Sequence, residues 1–175
     1  MKNKAVFFDR DGVVNYRIVG EYISSPENFV FTPDFIDFFI YVKKAGYLAI
    51  ITSNQQGIGK GLMTEEQLEK VHVHMQNQVK KLTGFKFDDI FVCTELAEAN
   101  SHCRKPNPGM IEEAVKKWDI DTSQSWMIGD RASDVIAGKR GGLKTILLRC
   151  FSNETLPEAD FVFRNLYEAH RKIFL

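Results

Sequence analysis

Short, uninterrupted apolar runs recur along the chain, and residues with helical spacing follow them. Ala5-Val6-Phe7-Phe8, Leu48-Ala49-Ile50-Ile51, Ile90-Phe91-Val92, Trp126-Met127-Ile128 and Thr145-Ile146-Leu147-Leu148 are the strong runs, with Phe161-Val162-Phe163 a weaker sixth. They are apolar throughout rather than alternately, the pattern of strands covered on both faces. Asp34–Lys44 places Phe35, Phe38, Phe39 and Val42 on one helical face and stops before Gly46. Thr64-Glu65-Glu66-Gln67 reads as a capping box, and Leu68, Val71, Met75, Val79 and Leu82 follow at helical spacing. Asn107-Pro108 opens a helix bearing Ile111, Ala114, Val115 and Trp118, and a short helix over Asp134–Arg140 ends at Gly141-Gly142. This alternation predicts one α/β domain over residues 1–175, doubly wound about a mainly parallel sheet in the Rossmann-like manner. Residues 16–32 carry no helical pattern and are expected to form a loop or small hairpin over the sheet's edge.

Composition narrows the function classes. The 23 basic and 23 acidic residues cancel, which argues against a nonspecific nucleic-acid or membrane-surface binder. No apolar stretch approaches the ~20 residues that cross a bilayer. The apolar run after Met1-Lys2-Asn3-Lys4 is too short for a secretory leader. Cys93, Cys103 and Cys150 are an odd number, which argues against a disulfide framework and points to a cytoplasmic protein. No exposed heptad or leftover apolar face is evident, so a monomer is expected.

Open parallel sheets bind ligands beyond the carboxyl ends of their strands, where strand order reverses. The residues there are Asp9-Arg10-Asp11-Gly12, Thr52-Ser53-Asn54-Gln55, Cys93-Thr94-Glu95 and Gly129-Asp130-Arg131. An isolated Asp-x-Asp is commonly a solvated turn, but Gly12 permits a tight turn and a second acidic loop, Gly129-Asp130-(x)3-Asp134, ends another strand. If the two loops meet, Asp9, Asp11, Asp130 and Asp134 share one cleft. They ionise together there only if cations intervene: a hard divalent metal, or a lysine such as Lys105. An anionic substrate, most naturally a phosphate, completes the balance.

Strand-Asp9-Arg10-Asp11-Gly12, strand-Thr52-Ser53-Asn54, Arg104-Lys105-Pro106 and strand-Gly129-Asp130-(x)3-Asp134 stand in the order of the four motifs of the haloacid-dehalogenase-like phosphatases, which this chain resembles over residues 4–150. Longer strings, Phe8 to Asn15, Ser53 to Gly61 and Cys103 to Met110, resemble the branch holding heptose-bisphosphate and histidinol-phosphate phosphatases. The resemblance implies a core without a large cap domain, with short loops around residues 15–25, 55–62 and 95–104 setting specificity. It implies hydrolysis of a phosphomonoester through an aspartyl-phosphate: Asp9 attacks phosphorus, and Asp11 protonates the leaving alkoxide and then activates water. Mg2+ would be held by the Asp9 carboxylate, the Asp11 carbonyl and Asp130. Ser53 and Lys105 would clamp the phosphoryl oxygens, with Asp134 orienting Lys105 or a metal-bound water. Asn15, Asn54 and Arg104 match the pattern as substrate-shaping residues; Arg10 is either a substrate contact or a structural ion pair. The implied substrate is a small phosphorylated metabolite, first D-glycero-D-manno-heptose 1,7-bisphosphate losing its 7-phosphate. Histidinol phosphate is the rival; a nucleic-acid 3′-phosphatase and a non-catalytic interaction domain stand further off.

Departures and decoys remain. The resembling enzymes often carry a zinc loop, Cys-x-His followed by Cys-x-Cys. Here Cys93-Thr94-Glu95 and Ser101-His102-Cys103 keep only the outer cysteines. A site built from Cys93, Glu95, His102 and Cys103 is chemically allowed, but adjacent His102 and Cys103 bite awkwardly, so a shortened loop without zinc is expected. Gly57-Ile58-Gly59-Lys60-Gly61 lacks the Ser or Thr a phosphate-binding loop requires and reads as active-site rim. His72 and His74 cannot share a helix face, Trp118 and Trp126 read as core, and Lys139-Arg140 reads as a solvated helix end.

Overall fold

The computed structural model of the protein describes residues 2–149 and 159–174, so Cys150 lies outside the described residues. Its apolar runs are strands: β1 Ala5–Phe8, β2 Leu48–Asn54, β3 Asp89–Cys93, β4 Trp126–Gly129, β5 Lys144–Leu148 and β6 Phe161–Phe163. They form one sheet in the order β3-β2-β1-β4-β5-β6, and every pairing is parallel. Order reverses at β1, where Phe8 lies in register with Ile51 of β2 on one side and Ile128 of β4 on the other.

Burial on both faces explains the unbroken apolarity. Val6 and Phe8 point into a core with Phe35, Phe38 and Phe39, while Ala5 and Phe7 point into a second core with Met110, Ile111 and Ala137. The first core is covered by α1 (Phe35–Lys44) and α3 (Glu65–Thr83), the second by α4 (Gly109–Trp118) and α5 (Ala132–Arg140). Helix α3 starts on the expected capping box: Thr64 Oγ1 accepts from Gln67 N at 3.1 Å, and Gln67 Oε1 accepts from Thr64 N at 2.8 Å. Two pieces carried no usable period: the one-turn helix α2 (Gln56–Gly59), and α6 (Leu166–Ala169) with a widened turn over His170–Phe174. No described helix is long and apolar enough to cross a membrane.

Residues 16–32 close as a small hairpin, as expected, with an antiparallel bridge between Asn15 and Phe31, but not at the expected place. Tyr16 N donates to the Val30 carbonyl and Thr32 N to the Val14 carbonyl, so the segment closes on itself directly after the central strand. Arg17, Ile18 and residues 20–23 share one concave wall with Asp9, Asp11 and Asn54, so the segment overhangs the carboxyl ends of β1 and β2 rather than an edge of the sheet. Before α1 begins, residues 9–34 hold one short 3-10 turn, Pro26–Asn28, and among the described residues no large cap is inserted.

Candidate active site

Asp9 leaves β1, Asp130 leaves β4 and Asp134 lies in the first turn of α5; one carboxylate oxygen from each lies within 4.8 Å of the others, and all three side chains are buried. Close approach requires glycine at two points. Gly12 has φ +105°, and a Cβ there would overlap the Asp130 carboxylate; a Cβ at Gly129 would overlap Asp134. Lys105, buried, joins the acids with Nζ 2.8 Å from Asp9 Oδ1, 2.7 Å from Asp134 Oδ1 and 2.7 Å from the Thr52 carbonyl. Burial works against its charge, but Asp134 and Asp9 outweigh burial and raise the pKa. Burial pushes Asp9 up, opposed by Lys105 and reinforced by Asp134 and Asp130. It also pushes Asp130 up, opposed by Arg17 and reinforced by Asp134.

Asp11 is held differently. Burial alone would raise its pKa, but the Arg10 charge and hydrogen bonds from Asn15 and Gln55 win and keep it ionised. Arg10 Nη2 donates to both its oxygens at 3.0 Å, Asn15 Nδ2 to Oδ1 at 2.9 Å and Gln55 Nε2 to Oδ2 at 2.8 Å. Arg10 is wholly buried, with Nη1 3.1 Å from His72 Nε2, so of its two readings the structural ion pair is the one built; it stands behind Asp11 and off the cavity wall. Asn15 is likewise buried behind Asp11. Ser53 is buried at the end of β2, its hydroxyl accepting from Gln55 Nε2 at 2.8 Å. Asn54 pins the lysine loop, donating to the Lys105 carbonyl at 2.9 Å and accepting from its N–H at 3.1 Å. Arg140 secures the same loop from α5, donating to Asn107 Oδ1 at 3.0 Å and the Pro106 carbonyl at 3.2 Å, so it is a strut rather than a merely solvated end. Its neighbour Lys139 pairs with Asp160.

These groups open on a cavity of about 440 Å³ lined by Asp9, Asp11, Asn54, Arg104, Lys105 and Asp134. Arg17, Glu21, Tyr22, Lys60 and Arg131 also line it. Arg17, Tyr22 and Lys60 fall in the loops around 15–25 and 55–62 expected to set specificity and Arg131 follows Asp130 at a strand end, but nothing in the spacing distinguishes Arg17 from any surface arginine. Arg104 is held over the mouth by the Glu95 carbonyl at 3.1 Å and Gln56 Oε1 at 3.2 Å. The cysteine loop beside it needs correction: Cys93 and Cys103, with Cα atoms 5.6 Å apart, are joined as a disulfide. An odd count carried no information about two cysteines that β3 and its following loop bring face to face. Glu95 is exposed and His102 turns out to Glu112, 2.7 Å away, so the four potential zinc ligands are not gathered.

A doubly wound parallel sheet with Asp-x-Asp after its central strand, a buried lysine and a second acidic loop at the adjoining strand end defines a haloacid-dehalogenase-like hydrolase. Residues 102–169 match the HAD-hydrolase-like family model. Over 95% of its length the chain is 36% identical to the D-glycero-beta-D-manno-heptose-1,7-bisphosphate 7-phosphatase of Helicobacter pylori J99, covering 94% of that protein. It is 37% identical, over 88% of its length and 84% of the relative, to the D-glycero-alpha-D-manno-heptose-1,7-bisphosphate 7-phosphatase of Photorhabdus laumondii. A solved D,D-heptose 1,7-bisphosphate phosphatase from B. bronchiseptica, complexed with magnesium and phosphate, superposes with a TM-score of 0.88 at 25% identity, over 98% of both chains. The chain belongs to the haloacid-dehalogenase-like phosphatases, in the family of these heptose-bisphosphate phosphatases.

Proposed function

We propose that the protein is a Mg2+-dependent phosphatase that removes the 7-phosphate of D-glycero-D-manno-heptose 1,7-bisphosphate through an aspartyl-phosphate on Asp9. The observation that carries this reading is the convergence of Asp9, Lys105 and Asp134 at the floor of a cavity whose other lining residues include Arg17, Lys60, Arg104 and Arg131, with Asp130 buried against the same acids. An all-oxygen donor set of buried carboxylates, raised in pKa by burial and mutual repulsion, suits a hard divalent cation. The Asp9 and Asp130 carboxylates and the Asp11 carbonyl would hold it, and it would neutralise the meeting of an anionic nucleophile with an anionic ester.

In the first step an Asp9 oxygen bonds to phosphorus and the phosphorus–sugar oxygen bond breaks, while Lys105 stabilises charge on the phosphoryl oxygens. The alkoxide takes a proton from Asp11. Because Arg10, Asn15 and Gln55 hold Asp11 ionised, the arriving phosphate must weaken that network, and its negative charge raises the proton affinity of Asp11. In the second step Asp11 takes a proton from water, which attacks phosphorus and frees Asp9 and inorganic phosphate. The lining supports a bisphosphate over histidinol phosphate by number of charges: Arg17, Lys60, Arg104 and Arg131 suit a second phosphate, against the single carboxylate of Glu21 for an ammonium away from the phosphate-facing acids.

Phosphate release from a panel of sugar phosphates and histidinol phosphate, with Mg2+ or a chelator, tests the proposal. The heptose bisphosphate should give the highest kcat/KM, activity should vanish with chelator, and Asp9→Asn should lose about 10³-fold or more. Undiminished turnover by Asp9→Asn overturns the mechanism, and preference for histidinol phosphate overturns the substrate.

A further inference from the structure

One nitrogen of Arg17 meets three oxygens. Arg17 Nη2 lies 2.8 Å from Asp130 Oδ1, 2.6 Å from Asp130 Oδ2 and 2.9 Å from the Asp11 carbonyl oxygen. These belong to two of the three groups assigned above to the divalent cation. A cation held by those groups would compete with this nitrogen for the same oxygens. We propose that Arg17 is a resident counter-ion that occupies the cation's seat, yields it when metal enters, and moves onto the phosphate of the substrate, so that metal and anion bind cooperatively. This rests on the metal-dependent reading above.

Three features distinguish Arg17 from a purely structural ion pair. Asp130 is sealed, 1% exposed in its side chain, yet Arg17 is 25% exposed and lines the cavity. It can therefore leave without opening the core. Its backbone belongs to the overhanging segment, whose next residues, Ile18, Val19 and Gly20, run to an exposed tip with Val19 at 92%. Its exit is into the cavity where the phosphate would lie, and a guanidinium matches phosphate with paired hydrogen bonds. Apart from Lys105, committed to Asp9, Asp134 and the Thr52 carbonyl, Arg17 is the described cation hydrogen-bonded to the acids of the floor. Leaving Asp130 unpaired would strand a buried charge, so release is favourable only when a metal replaces the guanidinium. Reciprocity then requires that a phosphate drawing Arg17 away tighten metal binding.

The test is Mn2+ binding to the full, chelator-treated chain, followed by electron paramagnetic resonance of free Mn2+, with and without inorganic phosphate. Wild type should bind Mn2+ about tenfold more tightly with saturating phosphate. Arg17→Gln should bind about tenfold more tightly than wild type without phosphate and lose most of the phosphate enhancement. Arg17→Lys, which keeps the charge and guards against a folding defect in the glutamine variant, should stay near wild type in both. Asp130→Asn should abolish tight binding. Equal affinity of wild type and Arg17→Gln, with binding still dependent on Asp130, overturns the role of Arg17 and leaves the metal reading standing. Tighter binding with undiminished phosphate enhancement overturns the coupling. No Asp130-dependent binding by either chain overturns the metal reading and this inference together.

Discussion

At the scale of single residues, the charge on Arg10 decides what its neighbours do. Its guanidinium is wholly buried, gives Nη2 to both Asp11 oxygens and faces His72 with Nη1. A second cation against a buried guanidinium is disfavoured, so His72 is held neutral, pushed down to about 4 by burial first and by Arg10 second, with Asp11 opposing. Unfolded histidine titrates near 6.5. Between pH 6.5 and 4 the unfolded chain therefore binds the extra proton, and the stability this site confers is complete above that window and lost as pH falls through it. Asp9 and Asp130, raised by burial, work in the opposite sense, but they are common to wild type and a His72→Gln variant. Urea unfolding from pH 8 to 4 should show wild type losing up to about 3 kcal/mol more than His72→Gln, all of it below pH 6.5. A constant difference across that range contradicts a neutral His72. None of this was legible beforehand: a histidine at helical spacing with apolar neighbours says nothing about an arginine 62 positions earlier that folds back onto it.

The elements were more legible than the site's wiring, and the reason is physical. Each strand is buried on both faces, so Ala5–Phe8 or Trp126–Gly129 needs apolar side chains at every position, and the pattern survives without any knowledge of partners. The strand ends were legible for the same reason, since a carboxylate ending an apolar run is conspicuous. Residues 16–32 lacked any period because cavity contacts and a self-closing hydrogen-bond pattern, not a repeating face, fix their course. The disulfide was hidden because pairing depends on space rather than count. Gly12 belongs to the legible set, and its role gives a prediction at this scale. The turn needs φ +105°, and any Cβ displaces Asp130. Gly12→Ala should lower stability by about 1–3 kcal/mol from backbone strain and reduce kcat/KM far more than that loss explains. Thermal melting and turnover measured side by side check both halves; wild-type turnover in this variant contradicts the placement of Asp130 against the turn.

The whole molecule concentrates unfavourable charge where its sheet reverses. Strands β1 and β4 and helix α5 deliver Asp9, Asp130 and Asp134 to one buried place, where Lys105 and Arg17 supply the cationic contacts. Three acids against two bases leaves the floor short of positive charge at neutral pH, and burial resists the remaining ionisation. Packing on both faces of the sheet carries this cost, because the two cores bind the same strands that bear the acids. A divalent cation bound only by the folded chain stabilises it by about 2.7 kcal/mol at a hundredfold excess over its Kd. For a chain of this size that corresponds to a rise in Tm of roughly 5–10 °C. The rise should grow as pH increases from 5 to 8, since the raised carboxyls must ionise to bind the metal. Asp130→Asn should lose the Mg2+-induced rise while melting, without metal, at or above the wild-type temperature, because a buried repulsive charge has gone and Arg17 can turn to solvent. If wild type gains nothing from saturating Mg2+ at pH 8, the acids at the sheet's reversal are balanced by the chain's own bases, and a metal has no energetic reason to bind there.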